Sequence, residues 1–210
     1  MLKRLVFIAW ALMAAAVADA QTTMAKMWTS MPDSLAPAYL KADKRRAMVD
    51  YYEMGETAEV MHALQGSSVM DTLSAQYARV TLSEALSLQM ALLPTAQGDT
   101  LLCRVVTFSA PAPESRVEFF DTKWNRLDAE RFLPPVSSSS LLHRPDSLGE
   151  EEFGVLCSFF EPQMIQVGLD PADFSLTFSL ATPLTSRFDR ERLEAVMVQR
   201  KVKWTGEMYK

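Results

Sequence analysis

Two histidines, two cysteines and a run of serines are the reactive side chains that stand out in this 210-residue chain. His143 follows Ser137, Ser138, Ser139 and Ser140 and precedes Asp146. Those types match a nucleophile, a general base and an orienting acid, the set used for acyl transfer. No Gly-x-Ser-x-Gly elbow accompanies them, and a triad is defined by geometry rather than by closeness in sequence. A hydrolase centred near His143 is therefore the alternative reading. His62, within Val60-Met61-His62-Ala63-Leu64, has only Glu59 near it as a metal-ligating type, so it reads as a structural or surface histidine.

Other clusters have plainer explanations. Glu150, Glu151 and Glu152 with Asp146 could hold a cation, but acids in the first turn of a helix complement its dipole without one. Met24, Met27 and Met31 offer thioethers suited to Cu(I). In a chain with 13 methionines, core packing is the better account. Trp28, Trp124 and Trp204 are dispersed and read as core anchors rather than a sugar platform. No phosphate loop or histidine-rich metal motif is present, and seven glycines leave little for a dinucleotide fingerprint. The sequence assigns no catalytic residue, no cofactor and no metal ligand.

Cys103 and Cys157 are the only cysteines. A bridge would enclose 55 residues and contribute about 4 kcal/mol in the chain-entropy model. The alternative is two buried thiols acting as small hydrophobes. Cys103 lies in Leu101-Leu102-Cys103-Arg104-Val105-Val106 and Cys157 lies beside Leu156, Phe159 and Phe160, so both settings read as core.

The N-terminus is the most specific signal. Lys3 and Arg4 precede an apolar run of 14 residues, Leu5 to Ala18, and Ala18-Asp19-Ala20 fits signal peptidase, predicting cleavage before Gln21. The run falls short of the roughly 20 residues that span a bilayer. The expectation is a periplasmic or secreted protein with no membrane span after signal removal. Loss of Lys3, Arg4 and Asp19 leaves 19 basic against 25 acidic residues, a net charge of −6, which repels nucleic acid. Lys41, Lys44, Arg45 and Arg46 share a helix with Asp43, Asp50 and Glu53 and read as a solvated face.

The elements follow from periodicity. Residues 33–64 read as helical in three pieces: a short turn capped by Asp33 or Ser34 and leading to Leu40, a helix from Lys44 to Met54 stopped by Gly55, and a run from Ala58 to Leu64. From Val69 the period becomes two. Tyr77–Leu82, Leu86–Leu92, Leu101–Phe108 and Arg116–Asp121 then form a meander. A polar stretch at 134–148 is a candidate subdomain break. Ser147 and Glu150 match a capping box for a helix through Phe160. Two strands flank the Asp170 turn, Asp189 is placed to cap a last helix to about Gln199, and Val202–Met208 reads as a final strand.

Several segments resemble a family of exported Bacteroidales proteins known only as a domain of unknown function. They are Met31-Pro32-Asp33-Ser34-Leu35, Arg46-Ala47-Met48-Val49-Asp50-Tyr51-Tyr52, Val69-Met70-Asp71-Thr72-Leu73 and Ala110-Pro111-Ala112-Pro113-Glu114-Ser115-Arg116-Val117, followed by Phe120 to Trp124. The resemblance spans residues 25–208 and implies one family-wide unit in a Gram-negative envelope. It brings no activity with it.

The combined expectation is an α+β fold: residues 1–20 as signal peptide, and 21–210 as one domain of short N-terminal helices on a mostly antiparallel sheet, with one or two late helices. The leading functional reading is a non-enzymatic envelope protein that binds a partner protein or a small ligand. Loops 136–148 and 110–115 are its expected contact surface; the alternative is an envelope hydrolase at His143.

Overall fold

The computed structural model describes residues 22–181 and 187–210. The expected signal peptide lies outside them. Helix α1, Met24–Ser30, opens at Thr23, whose hydroxyl accepts from the Lys26 amide at 3.3 Å. Its Met24, Met27 and Trp28 fall at i, i+3 and i+4 and are all buried. Helix α2, Ala42–Glu53, buries Arg45, Met48 and Val49 on one stripe and is followed, after the Met54 cap, by Gly55, whose φ of 75° a residue with a Cβ adopts only at a cost.

Seven antiparallel strands then follow in sequence order: β1 (Glu59–Met61), β2 (Ser67–Leu73), β3 (Tyr77–Ser83), β4 (Leu86–Pro94), β5 (Thr100–Phe108), β6 (Glu114–Phe120) and β7 (Arg126–Leu127). Alternation assigns the faces. Leu88, Met90 and Leu92 of β4 and Leu102 of β5 pack with α1 and α2. Ala91, Leu93, Cys103, Val105 and Phe119 point the other way. Both faces of β4 and β5 are covered, which is why these strands read as nearly continuous apolar runs.

The second face is covered by the C-terminal part of the chain. There β8 (Ile165–Leu169), β9 (Leu176–Leu180) and β10 (Arg200–Val202) form a separate antiparallel sheet in the order β10-β9-β8. Helices α3 (Glu150–Ser158) and α4 (Arg187–Glu194) accompany it. Leu169, Leu176, Phe178 and Val202 meet the large sheet in one apolar cluster closed by Tyr209. The molecule thus has helices, a seven-stranded sheet and a small sheet in three successive layers, an α+β fold.

Several local expectations need correction. Ala58–Leu64 holds strand β1 rather than a helix, with Val60 opposite Ser68 of β2. A run that short pays helix nucleation over few hydrogen bonds, whereas edge pairing is already available. Residues 33–40 form turns, because Pro37 removes a donor and disfavours helix in the residue before it. Gly149, not Ser147, is the N-cap of α3 and makes no side-chain bond. Asp189 lies within α4, which ends at Glu194. The last strand stops at Val202; a turn at Gly206, with φ of 93°, folds Trp204 back to pair with Tyr209. Arg45 leaves the expected solvated face and is only 1% exposed.

Candidate functional site

Arg45 is buried because the turn segment 32–40 folds over it. Its guanidinium donates to the Leu40 carbonyl at 2.7 Å, to Asp33 Oδ1 at 3.0 Å and to the Met31 carbonyl. A second arginine holds the middle of the same segment: Arg104 Nη1 of β5 donates to the Leu35 carbonyl at 3.0 Å. Tyr39 adds a hydroxyl bond to the Leu82 carbonyl at 3.3 Å. A stretch with little regular structure is thereby fixed by side chains that satisfy its carbonyls.

Register explains the charge beneath it. Arg104 on β5 stands opposite Glu118 on β6, so both side chains leave the sheet on the helix-covered face. Arg104 Nε and Nη2 reach Glu118 Oε2 at 2.9 and 2.6 Å, and both residues are about 5% exposed. Arg126 of β7 takes the other oxygen, Oε1, at 2.5 Å. The Arg104 and Arg126 guanidiniums also lie 5.0 and 5.8 Å from the Phe120 ring centre, within cation–π range. Glu118 is thus shared by two cations, and such forked pairing is the arrangement in which a buried carboxylate is tolerated.

Between segment 32–40 and strands β3 to β6 a cavity of about 370 Å³ remains. Leu35, Pro37, Leu82, Leu86, Leu88, Val106 and Phe108 give it an apolar lining, while Arg104, Arg116, Glu118 and Arg126 gather at one side. Arg116 sits two residues before Glu118, on the same face, and is exposed. Its side chain has no ion pair among the described residues. Three arginines and one glutamate leave two positive charges at the mouth of an apolar recess.

The residues singled out by type are placed elsewhere. His143, Asp146, Ser137, Ser139 and Ser140 are exposed, and no hydrogen bond joins His143 to Asp146 or to these serines among the described residues. The His143 amide donates to the Val196 carbonyl at 2.8 Å and Leu141 is fully buried, so segment 136–148 is stitched onto the C-terminal layer. Loop 110–115 runs into β6, where Ser115 Oγ meets Thr107 Oγ1 at 2.8 Å and accepts from the Val167 amide at 2.9 Å. His62 is 8% exposed and stacks on Tyr39 with ring centres 4.2 Å apart. Neither of its nitrogens has a hydrogen-bond partner among the described residues, and a Cβ on Gly66 would stand 2.9 Å from the ring, so a larger residue there would displace the imidazole.

Met24, Met27 and Met31 are core residues, as is Trp28, whose indole donates to the Arg45 carbonyl at 3.0 Å. Trp124 and Trp204 donate to Ser30 Oγ and the Pro94 carbonyl. Glu152 of α3 pairs with Arg192 at 2.5 Å. The two cysteines are free. Cys103 is fully buried, and burial pushes its thiol up to about 12, with the Tyr209 hydroxyl opposing in part. Burial also raises Cys157. Asp121 is opposed by burial, yet its bonds to the Asn125 side chain and to the Asn125 and Lys123 amides outweigh this and hold it below the usual range.

The Arg104–Glu118–Arg126 group escaped the sequence reading. A signal existed: an arginine inside an apolar strand needs a partner, and pairing β5 with β6 as a hairpin sets Glu118 opposite it.

No curated protein matches the chain. The fold is similar to a solved structure of a domain of an uncharacterized protein from Porphyromonas gingivalis W83, with a TM-score of 0.71 and 18% identity over 88% of this chain and 96% of that one. The resemblance carried by the Met31, Arg46, Val69 and Ala110 segments agrees with a family model that covers nearly the whole sequence. The chain belongs to the family described as protein of unknown function (DUF3256), whose model matches residues 16–209.

Proposed function

We propose that this is a non-enzymatic exported envelope protein that binds a small envelope ligand in the recess between segment 32–40 and strands β3 to β6. One observation carries the reading: an apolar cavity of about 370 Å³ opens beside arginines that Glu118 does not fully neutralise. Cavities of this size and lining suit small ligands, with a few polar groups fixing orientation. The leader at residues 1–20 supports export to the periplasm or beyond. The contact surface proposed is this recess rather than loops 136–148 and 110–115, because it joins an apolar lining to incompletely neutralised charge in one place.

The test is native mass spectrometry of the full chain expressed in a Gram-negative host and recovered from its envelope fraction. The expected result is a chain beginning at Gln21 with a non-covalent adduct that is lost in Val106→Trp and in Leu86→Trp, each with a wild-type melting temperature. An adduct-free chain with esterase or peptidase activity abolished by His143→Ala would replace this reading with the hydrolase.

A further inference from the structure

The charge arrangement around the recess says more about what enters it. We infer that the occupant is a small amphiphile with a carboxylate head, its apolar body on the leucine-rich floor and its head held by Arg116 and Arg126. This rests on the binding role proposed above and specifies its ligand class.

The donors separate into committed and available ones. Arg104 is spent: two nitrogens face Glu118 Oε2 and the third donates to the Leu35 carbonyl. Both Glu118 oxygens are taken, so the carboxylate cannot serve a cationic ligand without giving up an arginine. Arg126 offers its fork from an exposed position after satisfying Oε1, and Arg116 has no charge partner among the described residues. Two positive charges thus remain beside a recess in a chain whose net charge is −5. An ammonium head would be repelled there, and a neutral head would forgo the attraction that Arg116 and Arg126 offer an anion.

A carboxylate presents two oxygens in the plane of a guanidinium fork, and Arg116 is the one of the three arginines with no ion pair among the described residues, Arg126 already sharing Glu118 Oε1 from a solvent-exposed position. A cavity of about 370 Å³ lies at the small end of ligand sites, which favours a single small amphiphile over a protein segment. The clamp on segment 32–40 by Arg45 and Arg104 keeps the recess formed before anything binds.

Dodecanoate, dodecanol, dodecyl phosphate and dodecyltrimethylammonium, each below its micelle concentration, are titrated calorimetrically against wild type, Arg116→Gln, Arg126→Gln and Val106→Trp. Dodecanoate should bind wild type at least about tenfold more tightly than dodecanol. Arg116→Gln should lower dodecanoate affinity to that of dodecanol with the melting temperature kept, and Arg126→Gln should reduce the preference. Equal binding of dodecanoate and dodecanol, or intact dodecanoate binding by Arg116→Gln, overturns the head assignment while the recess remains a binding site. Dodecyl phosphate binding tenfold above dodecanoate transfers the head to phosphate and overturns the carboxylate. Probes that bind Val106→Trp as well as wild type, or that bind neither, overturn the ligand class; persistence of the native adduct in Val106→Trp removes the recess as well.

Discussion

The two faces of the seven-stranded sheet are built on opposite terms. The face under the small sheet is largely dry: Cys103, Val105, Phe119, Leu169, Leu176 and Phe178 form it, Gln89 and Ser115 cross it to bond the backbone of Leu169 and Val167, and Tyr209 closes it with its hydroxyl on the Phe174 carbonyl at 2.9 Å. The face under α1 and α2 carries a comparable set of apolar residues but also buries Arg45, Arg104 and Glu118 and retains the recess. That face closes through many weak apolar contacts and a few neutral hydrogen bonds, none of which demands a counter-ion. A buried charge group instead demands specific partners, and holding the irregular segment 32–40 away from the strands leaves room beneath it. The comparison teaches that one face holds the molecule together while the other exchanges some packing for a preorganised opening.

The sharpest way to break this contrast is Glu118→Ala, which strands Arg104 in the interior without a counter-charge. The expected loss is about 3–5 kcal/mol in urea denaturation, and Arg104→Leu combined with Glu118→Leu should recover most of it. A loss below about 1 kcal/mol for the single variant would show that water reaches the pair.

On the dry face the thiol of Cys103 supplies a pH test. Its folded pKa is raised to about 12 from an ordinary value of 9.0, so between these values the unfolded chain has lost a proton that the folded chain retains. Stability therefore falls as pH rises from 9 towards 12, by about 1.4 kcal/mol for each pH unit. Tyr209, raised chiefly by burial, acts in the same direction above its ordinary value. Cys103→Ala should flatten the decline across this window, and an unchanged slope in guanidinium titrations at pH 8, 9 and 10 would contradict the burial.

A smaller effect is expected from Trp28→Phe, which keeps the packing under α1 but leaves the Arg45 carbonyl without its indole donor. About 1–2 kcal/mol should be lost, read from the urea midpoint. The smallest is Arg116→Gln, within about 0.5 kcal/mol of wild type by thermal melting, because its side chain is exposed and supports nothing else in the fold. A larger loss there would mean that Arg116 is structural and would weaken its role at the recess.

Much of the scaffold is legible in the sequence. The alternation of Leu176 to Leu180 and of Tyr77 to Leu82 marks strands because each side chain has a fixed face, and Gly55 marks a helix end because few other residues take its φ. Helix and strand were confused at Ala58–Leu64, where three strand residues carry too little periodicity to decide. The recess was hidden for a different reason. Arg45 looked like one of four exposed cations until Met31, Asp33 and Leu40 closed around it, and those contacts are set by how the segment between two helices turns.

By itself the sequence determined the meander, the late helices and the expectation of export, since these follow from local periodicity, turn residues and an N-terminal pattern, and its short segments carried the family resemblance. Only the tertiary structure decided that the strands divide into two sheets facing each other. It also decided that His143 stands apart from Asp146 and that Arg104, Arg116, Glu118 and Arg126 meet beside an apolar recess. Those outcomes depend on which surfaces pack together, and the free energy of packing belongs to pairs of distant segments that no local pattern encodes.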